Sequence, residues 1–557
     1  MSDRHLKHWP SGVPRSLDFP QTHLWANVAA SAARHPDKPC LVFYDSVVTH
    51  GQFKEQTEWL AGWLQQVAGV QRGDRVLLCT QNSPQFAIGA YGVLRADAVL
   101  VPVNPMNRTE EIRHLVKDAG AKVLICAQDL FDQVAPLLEE GRRTGEGLQH
   151  VLVAAYSDHL TAPTSMRVPD FVAAPRQAIN TEGATLWSDA MAQHREPAPL
   201  QGGPDDLAVM PYTSGTTGHP KGCMHTHRSV MYGTVARSVW LDSSPDAVIL
   251  ATLPYFHVTG FQSSLNSVLH LGATVVILPR WDRDVALECM QRQHITAAQM
   301  ISTMVVDLLA HPDIETADLS CLQSIGGGGA AMPEAVAARL KALTGLDYIE
   351  GYGLSETMAA THINPVPRPK KQCLGIPIFD VDARVVNPDT FEELPPGEVG
   401  EVLIHGPQLM QGYWRNDAAN AEAFVTLDGK RFLRTGDLAR TDEDGYFHMV
   451  DRLKRMINAS GFKVWPSEVE ALLYAHPAIQ EACVIGTRDE RRGETVKAIV
   501  VLKPEARGQV SEADIVDWAH TNMAAYKAPR IVTFADRLPK SATGKILWRD
   551  LQSSEPR

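Results

Sequence analysis

Eight cysteines are spread along this 557-residue chain, and no two of them stand in C-x-x-C spacing. A zinc knuckle or dithiol redox motif is thereby unsupported, and reduced, buried thiols of a cytoplasmic protein are the expectation. Basic charge is in short supply too: 52 Lys and Arg face 64 Asp and Glu, a formal net charge of −12. Electrostatic binding of nucleic acid wants a basic face, so no nucleic acid is expected as a partner. Small anionic substrates remain open, because a local cluster of cations suffices for them. The N-terminal run Met1-Ser2-Asp3-Arg4-His5-Leu6-Lys7 lacks the apolar core of a signal peptide. Residues 247–279 carry no Asp, Glu, Lys or Arg, which is long enough to raise a membrane span. Pro254, His257, Gly260, Asn266 and Gly272 interrupt that stretch, so it reads as buried core rather than a transmembrane segment.

What the chain does have is alternation. Its length exceeds what one core supports, so at least two domains are expected. Residues 24–33 and 53–70 carry helical periodicity, and residues 40–44, 75–79 and 122–126 read as short strands. Residues 84–95 read as a helix, with Ser83 placed to cap it and Pro84 at its first position. This spacing predicts βαβ units around parallel or mixed sheets. Residues 141–204 are rich in Pro, Gly, Ser and Thr and are expected to be irregular. A second α/β stretch covers 248–358, with strands ending at Leu253 and Ile325. Residues 382–405 read as an antiparallel section with turns at 387–389 and 395–397. Past Asp451 the pattern changes to a unit of about a hundred residues. Ser467 with Glu470, and Ser511 with Asp514, mark helix starts there, with a strand at 496–502 between them. The fold class is α/β: a large N-terminal domain with mixed sheets over 1–450 and a small α+β domain over 451–557.

One run is denser in chemistry than any other, Pro211-Tyr212-Thr213-Ser214-Gly215-Thr216-Thr217-Gly218-His219-Pro220-Lys221-Gly222. Glycines let the backbone approach a polyanion, and the hydroxyls and Lys221 supply donors to phosphate oxygens. The run fails the P-loop pattern, since Lys221 sits between Pro220 and Gly222 rather than opening a helix. A flexible surface loop is the plain alternative, but the apolar Leu207-Ala208-Val209-Met210 before it argues for a loop set on a strand.

The run resembles the signature of the adenylate-forming superfamily, which includes acyl-CoA synthetases, luciferases and peptide-synthetase adenylation domains. Further motifs follow in the family's order: Tyr255-Phe256-His257, Gly351-Tyr352-Gly353-Leu354-Ser355-Glu356, Thr435-Gly436-Asp437, Asp451-Arg452-Leu453-Lys454, and Pro539-Lys540 with Gly544-Lys545. The resemblance implies ATP, Mg²⁺ and coenzyme A as cofactors and a small carboxylic acid as partner. A homodimer is one assembly it leaves open. Thr213, Ser214, Gly215, Thr216, Thr217, Gly218 and Lys221 would cradle the triphosphate, Thr217 counting also among the catalytic groups. Gly329, Ala330, Glu350, Gly351, Tyr352, Gly353 and Ser355 would surround the base, Tyr352 stacking on adenine. Glu356 would hold the metal, a single carboxylate completed by phosphate and water being usual for Mg²⁺. Asp437 would clamp the ribose with Arg452 beside it.

Catalysis of adenylation is mostly positioning and charge neutralisation. By resemblance Lys545 is the catalytic cation, a movable point charge for the carboxylate and α-phosphate oxygens, with Lys540 secondary. His257 would stand beside the substrate carboxylate. The family's small domain rotates about a hinge that matches Lys454, and Ser460, Gly461 and Phe462 would then border the coenzyme A channel. Ser460 replaces a frequent glycine of the family and Arg455 a frequent acidic residue. The acyl pocket is expected from His257, Phe261, Gly326, Gly327 and Gly328. Residues 256–261 resemble those of medium- and long-chain fatty acyl-CoA synthetases, which implies a fatty acid of medium to long chain, with an aryl or arylalkanoic acid as the alternative. No Lys or Arg lies there to pair with a second carboxylate, so a monocarboxylic acid is expected. A stand-alone enzyme loading a carrier protein is a second alternative. A luciferase-like oxygenase and a non-catalytic nucleotide regulator are further classes, the last opposed by Lys545, Glu356 and Asp437 occurring together.

Overall fold

A computed structural model of the chain describes residues 3–213, 220–329, 331–459, 462–489, 493–540 and 546–555, without the side chains of Asn458, Phe462 and Lys463. Local signals set several elements as the sequence predicts. Ser83 Oγ accepts from the Phe86 amide at 3.1 Å and Pro84 takes the first position, so a helix runs Pro84–Arg95. Each of its residues is buried, as befits a helix apolar on all sides. Thr49 and Gln52 form a reciprocal capping box, which starts the helix His50–Gln66 earlier than its apolar period suggests.

The chain divides into two compact units, one of His8–Val381 with His405–Ala423, the other of Met1–Lys7, Asp382–Ile404 and Phe424–Arg557. In the larger unit, one sheet has a parallel middle formed by Tyr348–Leu354, Ser324–Gly328, Ala297–Gln299, Val248–Ala251, Thr274–Ile277 and Pro39–Phe43, in that order. Antiparallel strands close its edges. A second sheet runs Leu207–Val209, Val99–Pro102, Arg75–Cys79, Val123–Ala127, His150–Ala154 and Ala184–Leu186 in parallel, with His225–Thr226 antiparallel at the Leu207–Val209 edge. Parallel strands buried on both faces explain runs such as Val76-Leu77-Leu78, without polar alternation.

Two expectations are corrected here. Residues 141–204 are not irregular throughout: His150–Ala154 pairs with Val123–Ala127 on one side and Ala184–Leu186 on the other. The apolar run Val151-Leu152-Val153-Ala154-Ala155 is short and set in Pro-, Gly-, Ser- and Thr-rich sequence, and its pairing on both sides makes it a strand. The glycines after Ile325 are likewise no turn. The strand continues to Gly328, because a Cβ on Gly327 would collide with the Met300 carbonyl and one on Gly326 with that of Ile349. Only Gly329, at φ +87°, turns the chain.

The smaller unit holds an antiparallel sheet in which Lys430–Thr441 pairs with Gly400–His405, Phe424–Leu427 and Phe447–Arg452. Its C-terminal part builds a sheet on the long pair Ile479–Asp489 and Gly493–Leu502, with the helices Pro466–Leu473 and Glu512–Asn522. Ser511 and Asp514 cap each other's turn as expected. Ser467 does not cap its helix, since Pro466 already occupies the first position. Instead the amide and hydroxyl of Ser467 both donate to Asp451 Oδ2, at 2.8 and 3.0 Å. Arg455 is taken up by an ion pair with Glu470.

Candidate active site

In the larger unit, the short strands Tyr212–Thr213 and Lys221–Gly222 pair antiparallel, with Lys221 opposite Thr213. This hairpin fixes both ends of the glycine-rich run. Tyr212 Oη donates to Asp118 Oδ2 at 2.6 Å, and burial followed by this carboxylate raises the phenol's pKa. Ser214, Gly215, Thr216, Thr217 and Gly218 lie outside the described residues.

Lys221 leads directly to the expected metal ligand. Its Nζ lies 4.3 Å from the centroid of the Tyr413 ring, a cation–π distance. Tyr413 Oη donates to Glu356 Oε1 at 2.7 Å. Burial, then the Glu356 charge, push the Tyr413 hydroxyl upward, so it stays protonated and keeps donating. The ring is held by a β-bridge between Tyr413 and Cys223, one residue beyond the hairpin. Cation, phenol and carboxylate therefore form one connected group.

Glu356 sits in the turn Ser355–Thr357 that ends the strand Tyr348–Leu354. Thr357 Oγ1 accepts from the Leu354 amide at 2.9 Å, His225 Nε2 meets the Ser355 carbonyl at 2.7 Å, and the Met410 amide donates to the Glu356 carbonyl at 2.9 Å. The turn is thus held from three sides. Sequence reading missed Tyr413 and His225. Gly412-Tyr413-Trp414 and His225-Thr226-His227 offer no spacing that separates an anchor from ordinary core.

Tyr352 is buried, its ring edge-on to His362 at 5.7 Å. Gly353 is required by packing, because a Cβ there would collide with the Ala359 carbonyl. Glu350 spans two connections: Oε1 accepts from the Met332 amide at 2.7 Å and Oε2 from the Cys373 amide at 3.1 Å. Gly329 is exposed beyond the strand end, and Ala330 lies outside the described residues. His257 Nδ1 accepts from the Thr259 amide at 3.3 Å and caps the short helix Val258–Gly260. Phe261 is buried, while Gly328 keeps some accessible surface.

In the smaller unit, Asp437 and Arg452 face each other across antiparallel strands, with Arg452 Nε 2.9 Å from Asp437 Oδ1. Asp437 is 1% exposed and Arg452 44%, so the pair presents one buried carboxylate behind a reachable guanidinium. Thr435 Oγ1 accepts from the Asp437 amide at 3.0 Å and donates to the Val402 carbonyl at 2.8 Å, which sets the bend at Gly436. Lys454 is exposed in the turn Leu453–Arg455, and Lys540 pairs with Glu481 at 2.7 Å. Ser460, Gly461 and Lys545 lie outside the described residues, as does the side chain of Phe462.

Among the described residues no group of three or more His, Cys, Asp or Glu could hold a metal ion. Glu356 offers a single carboxylate, with Oε1 oriented by Tyr413. That donor set fits Mg²⁺ bound mainly through phosphate oxygens and water, and does not fit a protein-caged ion. No helix among the described residues is long and apolar enough to cross a membrane.

Comparison with known proteins gives the family. Residues 28–414 match the AMP-binding enzyme family and residues 468–545 match the AMP-binding enzyme C-terminal domain. A long-chain-fatty-acid–CoA ligase of Bacillus subtilis is 35% identical over 99% of this chain and 98% of its own. A feruloyl-CoA synthase of Amycolatopsis is 34% identical over 98% of each chain. The ATP-bound crystal structure of MatB from Rhodopseudomonas palustris superposes with a TM-score of 0.81 at 27% identity, covering 95% of this chain and 98% of that one.

Proposed function

Since the chain belongs to the AMP-binding enzyme family, we propose that it is an ATP-dependent acyl-CoA synthetase acting on a hydrophobic carboxylic acid. The acid is joined to the α-phosphate of ATP with release of pyrophosphate, and the acyl group then passes to the thiol of coenzyme A. The observation that carries this reading is the linked group Lys221, Tyr413 and Glu356 at the base of the glycine-rich hairpin. A cation and an oriented carboxylate at the two sides of one phenol suit a triphosphate with its divalent ion.

Within this reading Lys221 meets phosphate oxygens, and Tyr413 holds Glu356 so that its carboxylate approaches Mg²⁺ in a fixed direction. When bound, the ion neutralises phosphate charge. Tyr352 and the Glu350-anchored connections shape the base site, and Asp437 with Arg452 takes the ribose hydroxyls. Lys545 is the cation for the adenylation step. Residues 451–557 form the mobile domain with Lys454 as its pivot, and Ser460, Gly461 and Phe462 border the thiol's approach. The full-length relatives named for fatty acids and for ferulic acid support medium- to long-chain fatty acids as substrates, with aryl acids as the alternative. Acid-dependent exchange of labelled pyrophosphate into ATP, measured over both acid classes, tests the first half reaction. No exchange with any acid would reject it.

A further inference from the structure

Helix His227–Trp240 carries an arginine, Arg237, that none of the motifs above accounts for. Its guanidinium lies deep in the larger unit, where Nη2 donates to Gln299 Oε1 at 2.8 Å. An arginine has five N–H groups, and among the described residues Gln299 is the acceptor found for this one. Among the described residues no carboxylate pairs with it, and burial alone lowers its pKa to about 10. A guanidinium buried without a counter-charge is costly unless something else accepts its hydrogen bonds. The residue as a whole is half-buried.

The elements around Arg237 carry residues of the predicted acyl pocket. Gln299 ends a parallel strand and stands in register with Gly326, and ligands of open α/β sheets bind beyond such carboxyl ends. One turn before Arg237 is Gly233, where a Cβ would lie 2.7 Å from Gln262 Nε2. Gln262 belongs to the segment that His257 starts, and it also donates to the Val230 carbonyl at 3.0 Å. Gly233, Gly328, Gly351, Ala359 and Ala360, on the elements around Arg237, are small and keep partial exposure. Arg237 is thus a cation near residues of the predicted acyl pocket, supplied by an element that reading residues 256–261 alone could not reveal.

We propose that Arg237 is a specificity-determining residue, donating hydrogen bonds to an oxygen that the acid substrate carries away from its reacting carboxyl group. This rests on the acyl-CoA synthetase reading and narrows it: the preferred acids bear a distal carboxylate or a distal neutral oxygen, as hydroxyl, carbonyl or phenol. A purely hydrocarbon tail would leave the guanidinium desolvated and unanswered.

The test is kcat/KM for thioester formation on acids matched in length, with the full chain, ATP, Mg²⁺ and coenzyme A. One set is dodecanoic, 12-hydroxydodecanoic and dodecanedioic acid; the other is cinnamic and 4-hydroxycinnamic acid. The wild type is expected to favour an oxygenated member in at least one set by about 10- to 100-fold, the range of a hydrogen bond to a charged group. The hydroxy and dicarboxylic arms tell a neutral acceptor from an anionic one. Arg237→Met should remove that preference, mainly through KM, while keeping or raising activity on the unsubstituted acid. Arg237→Lys, which keeps the charge, should restore part of it. Preference of the wild type for the unsubstituted acids throughout would overturn the proposal, and so would an equal loss on every acid in both variants. Absence of thioester with any acid would instead reject the synthetase reading on which it rests.

Discussion

Tyr413 Oη donates to Glu356 Oε1 at 2.7 Å while its ring receives Lys221 Nζ at 4.3 Å. One side chain thereby orders both the carboxylate expected to meet the metal and a cation expected to meet phosphate. Tyr413→Phe removes the hydroxyl and leaves the ring. The Mg²⁺ concentration for half-maximal activity should rise several-fold and kcat/KM for ATP should fall about tenfold, the effect of one hydrogen bond to a charged group. Glu356→Gln should lose about a hundredfold or more. An unchanged Mg²⁺ titration in Tyr413→Phe would separate the tyrosine from the metal.

Asp437 is buried behind Arg452, and the ribose role given to it has a nucleotide-based check. The wild type should lose kcat/KM when 2′-deoxyATP replaces ATP. Asp437→Asn should be weak with ATP yet lose little more with 2′-deoxyATP, because the partner hydroxyl and the clamp are removed together. Independent, multiplying losses would place Asp437 away from the sugar.

Lys545 and Lys454 divide the two half reactions. Lys545→Ala should lower acyl-adenylate formation by orders of magnitude, on the scale of a lost preorganised charge contact. The same variant should still convert supplied acyl-adenylate and coenzyme A to thioester. Lys454→Pro restricts φ at the proposed pivot. It should keep adenylation and lose thioester formation, as read by pyrophosphate release and coenzyme A consumption. Equal damage to both steps in Lys545→Ala would reject the assignment, and normal kinetics in Lys454→Pro would reject the pivot.

Legibility followed the physics of each signal. The helix Pro84–Arg95 was readable to the residue, because Ser83 and Pro84 act locally and leave a local signature. The strand Arg75–Cys79 was readable because burial on both faces gives an unbroken apolar run. His150–Ala154 carries the same kind of apolar run but was passed over, because the Pro, Gly, Ser and Thr spread over residues 141–204 dominate the reading of that stretch. Gly326 and Gly327 looked like turn residues, but close approach of the Ile349 and Met300 carbonyls is what demands glycine. In the site, motif positions such as Glu356, Asp437 and Lys221 stood out by sequence. Tyr413, His225 and Arg237 did not, because their work depends on contacts far along the chain.

Buried histidines, His225 and His23 among them, make stability depend on pH. Burial lowers His225 and His23 from 6.5 to about 4. Between those values the unfolded chain binds protons that the fold refuses, so each contribution is complete above pH 6.5 and is lost as pH falls towards 4. The loss amounts to up to about 3 kcal/mol per histidine. The melting temperature should therefore fall between pH 7 and pH 5, and His225→Gln should show a shallower fall over that interval. An identical slope in the variant would remove His225 from the account.

The most direct measurement of the central claim is a product balance on the wild-type protein with ATP, Mg²⁺ and a carboxylic acid, with and without coenzyme A. The account predicts acid-dependent formation of pyrophosphate, one AMP for each thioester, and no thioester when coenzyme A is left out. Release of ADP and phosphate, or thioester formed without AMP, would contradict it.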